Sequence, residues 1–271
     1  PNYIPIPIDY FFTISRCNSD VFIRVRKTPE EFQFIKRVHA SDPVPKEAIL
    51  RYAAQGLKHL YIPKEMRNEF TVFMSNHLVA KLNTPADNEA QKVQIIGESY
   101  QIARRELINM GLSTSTVELV DTIIDNMTET IEKSTAMGLL MANILNSQTS
   151  YMYQLSHLTS LLAIELLQQM GEINIGEENK NKITYAAFFC DIGLIESENL
   201  CRINSMEELD MAGLSDKEWE MVFGHAKEGA EFVRKYPDAP LGVDRIILEH
   251  HGALHGRGFS SAAFEQIGLV S

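Results

Sequence analysis

Five of the eight histidines fall after residue 156: His157, His225, His250, His251 and His255. Neutral imidazoles gathered around one carboxylate are the donor set of a divalent transition metal, and the carboxylate can bridge two ions. The carboxylate on offer is Asp191. It stands between Phe188-Phe189-Cys190 and Ile192-Gly193-Leu194, where a charge is hard to bury unless it is paired or bound to a cation. The competing assignment is a helix-end cap beside Gly193. His250 and His251 are adjacent at the end of the apolar run Val243 to Leu248. Neighbours on a helix point about 100° apart, so the pair can share one ion only around a helix terminus. The glycine-rich stretch from Gly252 to Gly258 allows such a terminus. His157 sits among Leu161, Leu162 and Ile164, where a core histidine competes with a ligand. Two ions a few Å apart can hold a bridging hydroxide and clamp a phosphodiester for in-line attack. The sequence holds no Walker loop, Rossmann fingerprint, H-E-x-x-H motif or nucleophile elbow. His39, His59 and His77 have no acidic or Cys neighbour at ligand spacing and read as surface or half-buried residues.

The elements around these residues are mostly helical. From Thr84 onward, Thr84-Pro85 reads as a cap with a first-turn proline, and Gly111 closes that helix. Ser115-x-x-Glu118 reads as a capping box. A long helix over about Ser150 to Met170 carries His157, and Ser215-x-x-Glu218 opens a helix through His225. The first ~80 residues differ. Asp20 to Arg26 alternates, with Val21, Ile23 and Val25 on one side, at a strand period. Pro45 to Gln55 reads as a helix closed by Gly56, and Lys58 to Ile62 as a short strand ended by Pro63. The expected class is α+β: a small N-terminal mixed α/β module of regulatory character over 1–83, a helical connector over 84–147, and an all-α metal-binding domain over 148–271.

Composition narrows the partners. Lys and Arg total 25 against 36 Asp and Glu, a net charge of −11. That sign disfavours long nucleic acids and anionic membrane surfaces. The longest nearly apolar stretch, Ala136 to Leu145, is far short of the ~20 residues of a membrane span, and no signal peptide is visible. Cys17, Cys190 and Cys201 are an odd number without a C-x-x-C pair, which points to a reducing, cytoplasmic setting.

Taken in order, four segments resemble the HD superfamily, and within it the HD-GYP phosphodiesterases of bacterial cyclic di-GMP signalling. They are SHLTSLLAIELL with His157, AAFFCDIGLI with Asp191, LSDKEWEMVFGHAKEGAEF with His225 and Gly229, and ILEHHGALHGRGFS with the adjacent histidines. Together they cover about two-fifths of the chain, from about Ser150 to Ser260. The departures are specific. Cys190 stands for the HD histidine, Leu194 for a nearby Lys, Gly252 for a Glu and His255 for an Asp. Phe259 and Ser260 stand for the signature Tyr and Pro, so this is an unconventional member without the GYP tyrosine. Tyr153 stands where three-metal members have a Glu. No counterpart of the family's last Asp ligand is seen up to Ser271.

The resemblance implies one ion held by Asp191, His225, His250 and His251. It implies a second held by His157 and Asp191, with Cys190 as a candidate thiolate. Asp191 takes the catalytic, bridging role, and Arg257 is a candidate phosphate contact. The expected cofactors are two divalent ions, iron foremost, with manganese or zinc as alternatives. The implied function is hydrolysis of cyclic di-GMP by a metal-bound hydroxide. The alternative is a weak or inactive relative acting as a nucleotide sensor or protein-interaction scaffold, with homodimerisation and signalling partners as further expectations. A different HD-type reaction, on another nucleotide or by di-iron oxidation, is a third class, because fold does not fix function.

Overall fold

The computed structural model describes residues 2–29, 31–170, 176–194, 197 and 199–252. The chain divides into two compact units, Pro1–Lys81 and Leu82–Ser271. The first contains β1 (Tyr3–Pro7), α1 (Tyr10–Thr13), β2 (Val21–Arg26), β3 (Phe32–Val38), α2 (Lys46–Ala54) and β4 (His59–Pro63). It closes with α3 (Arg67–Asn83), which runs just past the boundary. The sheet order is β1-β4-β2-β3, every neighbour antiparallel. Alternation buries Ile6, Val21, Ile23, Leu60 and Ile62. The opposite phase gathers Tyr3, Phe22, Phe34 and Tyr61 into an aromatic cluster with ring centroids 4.4–5.2 Å apart. That cluster corrects the simple one-sided pattern expected for β2. Phe22 is buried under neighbouring rings, whereas Val25, near the hairpin end, is 38% exposed. Gly56 follows α2 with φ +87°, as its C′ role requires.

The second unit is helical. It comprises α4 (Glu89–Met110), α5 (Thr114–Lys133), α6 (Met137–Asn146), α7 (Tyr151–Gln169), α8 (Glu177–Phe189), α9 (Met206–Met211), α10 (Asp216–Val233) and α11 (Val243–Glu249). Helix α8 is central: α5, α7, α10 and α11 all pack on it. Its Phe188 and Phe189 are fully buried, as are Ile96, Val120, Ile124 and Ile164 from α4, α5 and α7. Each such side chain contributes roughly 1.5–3 kcal/mol by leaving water.

Two helix starts differ from expectation. Helix α4 begins after Asn88, not at Thr84-Pro85. The Asn88 side chain accepts from Gln91 N at 2.9 Å, and Gln91 Oε1 accepts from Asp87 N at 2.6 Å. The first of these bonds satisfies a donor, Gln91 N, that Thr84 lies too early to reach. Helix α5 is boxed by Ser113 and Thr116 rather than by Ser115 and Glu118. Gly111 (φ +72°) turns the chain so sharply that Ser113 is already extended and able to cap. The expected cap Ser215 is in place in a full box with Glu218, and Ser150 caps the helix expected to start near it. Among the described residues no helix is long and apolar enough to cross a membrane.

Candidate metal centre

Asp191 follows the end of α8. Cys190 is the last residue tied to that helix, through its N–H to Ala186 O at 2.9 Å, and a single 3-10 turn, Ile192–Leu194, comes next. The carboxylate therefore leaves the helix axis at the mouth of the bundle. His225 arrives from α10 and is 1% exposed. One turn later on the same helix face stands Gly229. A Cβ there would lie 3.1 Å from Phe189 O, 3.3 Å from Cys190 O and 3.1 Å from Ile247 Cγ2. The missing side chain is thus what lets α10 lie against the end of α8 and against α11, and so brings His225 to Asp191.

His250 caps the end of α11 and His251 follows it. Gly252, with φ +67°, turns the chain and donates to Glu249 O at 2.8 Å. The helix stops just before the two residues, so their rings can converge, with centroids 4.0 Å apart.

The hydrogen bonds assign the tautomers. His225 Nδ1 donates to Val222 O, and His250 Nδ1 donates to Ile247 O at 2.6 Å. A neutral imidazole with its Nδ1 proton so placed presents a bare Nε2 lone pair. His225 Nε2 lies 3.2 Å from His250 Nε2, 3.0 Å from His251 Nε2 and 3.4 Å from Asp191 Oδ1. Lone pairs facing one another so closely repel unless a cation stands among them. One ligand atom from each of the four residues lies within 4.8 Å of every other. Two metal–ligand bonds of about 2.0–2.2 Å span at most about 4.4 Å, so a small contraction gathers all four on one ion. The carbonyls behind the Nδ1 atoms are the outer partners that orient metal-binding histidines.

Electrostatics keep the rings of His250 and His251 neutral and available. Burial, then the neighbouring His225, lowers His250 to about 4, with Asp191 opposing. His250 as a residue is exposed, yet its ring packs on buried His225. Burial, then His250 and His225, lowers His251 to about 2.

The other expected ligands stand apart. His157 is fully buried on α7. Its Nδ1 bonds Tyr153 Oη at 2.9 Å, and Tyr153 Oη also donates to Val93 O at 2.9 Å. His157 Nε2 makes no hydrogen bond of good geometry. Burial lowers its pKa to about 4 against a weaker opposing effect of the Met127 carbonyl. Cys190 Sγ lies 3.5 Å from Asp191 Oδ2, and burial, then the Asp191 charge, raises its thiol well above the ordinary range. A protonated thiol there is a hydrogen-bond donor to the carboxylate rather than a ligand. Among the described residues, neither His157 nor Cys190 joins the four-residue group. Arg257, His255, Phe259 and Ser260 lie outside the described residues.

Beside the group is a cavity of about 460 Å³. It is lined by Leu155, Ser156, Thr159, Ala163, Ile183, Ala186, Ala187, Asn204, Ile246 and Ile247 together with Cys190, Asp191, His250 and His251. Sequence reasoning missed this chamber and also Arg104, whose Nη2 donates to Asp191 O. The run Ala103-Arg104-Arg105-Glu106 looks like a solvated helix face. The available signal was the spacing of Arg104 from Tyr100, which puts it on the inner side of α4.

No protein-family model matches the chain, and no curated protein does. Among solved structures, it is similar to Bd1817, a HDG"Y"P protein from Bdellovibrio bacteriovorus. The TM-score is 0.58 at 18% identity, over 98% of this chain and 83% of that one. The chain thus shares the fold of an HDG"Y"P protein.

Proposed function

We propose that the chain is a metal-dependent phosphodiesterase of HD type acting on cyclic di-GMP. The observation that carries this reading is the convergence of three imidazoles, two of them with a bare Nε2, and one carboxylate within 4.8 Å. Likeness of fold to an HDG"Y"P protein supports it. A bound divalent ion would supply Lewis acidity and acidify a water. The chain's residues do the rest. Val222 and Ile247 carbonyls fix the rings of His225 and His250, and Asp191 supplies negative charge beside them. The adjoining chamber offers room for a ligand beside them. Iron is the foremost expectation for the ion, with manganese or zinc as alternatives. The four-residue group accounts for one ion, while a second would need His157 and Cys190 beside Asp191. The test is hydrolysis of cyclic di-GMP by metal-loaded protein. Asp191→Ala should abolish it and strip the ion, seen by product chromatography and elemental analysis. Hydrolysis that survives Asp191→Ala unchanged would sink the proposal.

A second reading has its own support. The described lining of the chamber carries no Lys or Arg to meet phosphates, and Cys190 replaces an imidazole. These features favour a relative that retains the metal group but turns over slowly or serves as a sensor. Binding of cyclic di-GMP without turnover would select that reading.

A further inference from the structure

Among the described residues, Arg104 heads the fully buried side chains by size, at 1% exposure. Helix α4 carries it inward because Ile96, Tyr100, Ala103 and Leu107 form that helix's buried stripe. Its Nη1 donates to Tyr100 Oη at 2.8 Å, its Nη2 donates to the main-chain oxygen of Asp191, and its Nε is without a partner. Among the described residues no carboxylate forms an ion pair with it. A guanidinium does not deprotonate in a protein, and an unpaired buried charge is strongly unfavourable. The fold therefore places a permanent positive charge one peptide away from the Asp191 carboxylate.

The two oxygens of that carboxylate face different surroundings. Oδ1 lies 3.4 Å from His225 Nε2, on the side of the three imidazoles. Oδ2 lies 3.5 Å from Cys190 Sγ. A second ion bridged by Asp191 would sit on the Oδ2 side, where the imidazole it needs is a thiol. His157 uses Nδ1 on Tyr153 and does not join the group. We infer that Arg104 is a resident cation in place of a second metal ion, so that the centre takes a single divalent ion on the Oδ1 side of Asp191. The inference rests on the metal centre proposed above. It makes Arg104 a positioning residue, which holds the Asp191 peptide and supplies the compensating charge.

The test is metal stoichiometry, which a merely structural role would not change. Full-length protein is stripped, titrated with Mn²⁺ alone, and read by elemental analysis and by electron paramagnetic resonance. The wild type should bind one ion with the spectrum of isolated Mn²⁺. Cys190→His alone should still bind one, because the cation remains. Cys190→His with Arg104→Met should bind two and show a spin-coupled pair, while Cys190→His with Arg104→Lys should return to one. Circular dichroism checks that each variant is folded. Two ions in the wild type or in Cys190→His alone would overturn the role of Arg104 and leave the metal centre standing. So would a folded double variant with Arg104→Met that stays at one ion. No ion in the wild type would overturn the metal centre itself.

Discussion

His77 in the first unit and His225 in the second both sit on helices, and both place one ring nitrogen on a main-chain oxygen. For His77 that contact is Nε2 with Thr13 O at 2.9 Å, and its ring stacks beside Phe73. For His225 it is Nδ1 with Val222 O, so that Nε2 faces two other imidazoles and a carboxylate. His39 and His59, also in the first unit, are exposed. Residue type is therefore a poor guide to metal binding. What separates the regions is which nitrogen the backbone satisfies and what the other nitrogen meets.

The largest expected effect separates the regions outright. His225→Ala should weaken metal binding by more than the 10- to 100-fold typical of losing an outer-shell partner, whereas His77→Ala should leave metal content unchanged. Elemental analysis after dialysis against a fixed free-metal concentration decides it. Equal losses from both variants would break the comparison.

A middle effect concerns His157, which belongs to neither pattern. Its folded pKa of about 4 lies below the ordinary 6.5 because burial penalises the charged ring. Between those values the unfolded chain binds a proton that the native chain does not. Stability is therefore fully present above pH 6.5, is lost as pH falls toward 4, and levels off below. The loss totals about 3 kcal/mol. His157→Gln should remove about that much from the pH dependence of the unfolding free energy read from urea titrations. A slope unaffected by His157→Gln would show that its ring is not held neutral by burial.

The smallest of the three tests the approach that brings His225 to Asp191. Gly229→Ala adds a methyl against Phe189 O, Cys190 O and Ile247, and overpacking of this kind costs about 1–3 kcal/mol. A lower melting temperature together with weaker Mn²⁺ binding is expected. Gly56→Ala strains only a positive φ in open space and should lower the melting temperature without touching metal affinity.

Much of this architecture was legible in the residues. The α+β class, the cap at Ser215, the helix start near Ser150, and the helix end that lets His250 and His251 converge all follow from local chemistry. Thr84-Pro85 and Ser115 misled because equally good capping residues, Asn88 and Ser113, stood a few positions away. Local propensity cannot choose between neighbours of equal chemistry. The position of Cys190 at the resembled histidine was readable, but not its thiol contact with Asp191. Arg104 was invisible because its role depends on a contact across 87 residues of sequence, which no local pattern encodes. The direction of His157 was hidden for the same reason.

Helix α11 is only seven residues long, too short to persist on its own, and the two ligand histidines follow directly on its last residue. An ion shared with Asp191 and His225 would act on it as a cross-link, closing the loops between segments far apart in sequence. At a hundredfold excess over its Kd, an ion that binds only the native arrangement adds about 2.7 kcal/mol. Amides of α11 that open with the site would then exchange roughly a hundredfold more slowly than in the metal-free chain. The least self-sufficient of the ligand-bearing helices thereby becomes the one whose local breathing reports most directly on the occupancy of the centre.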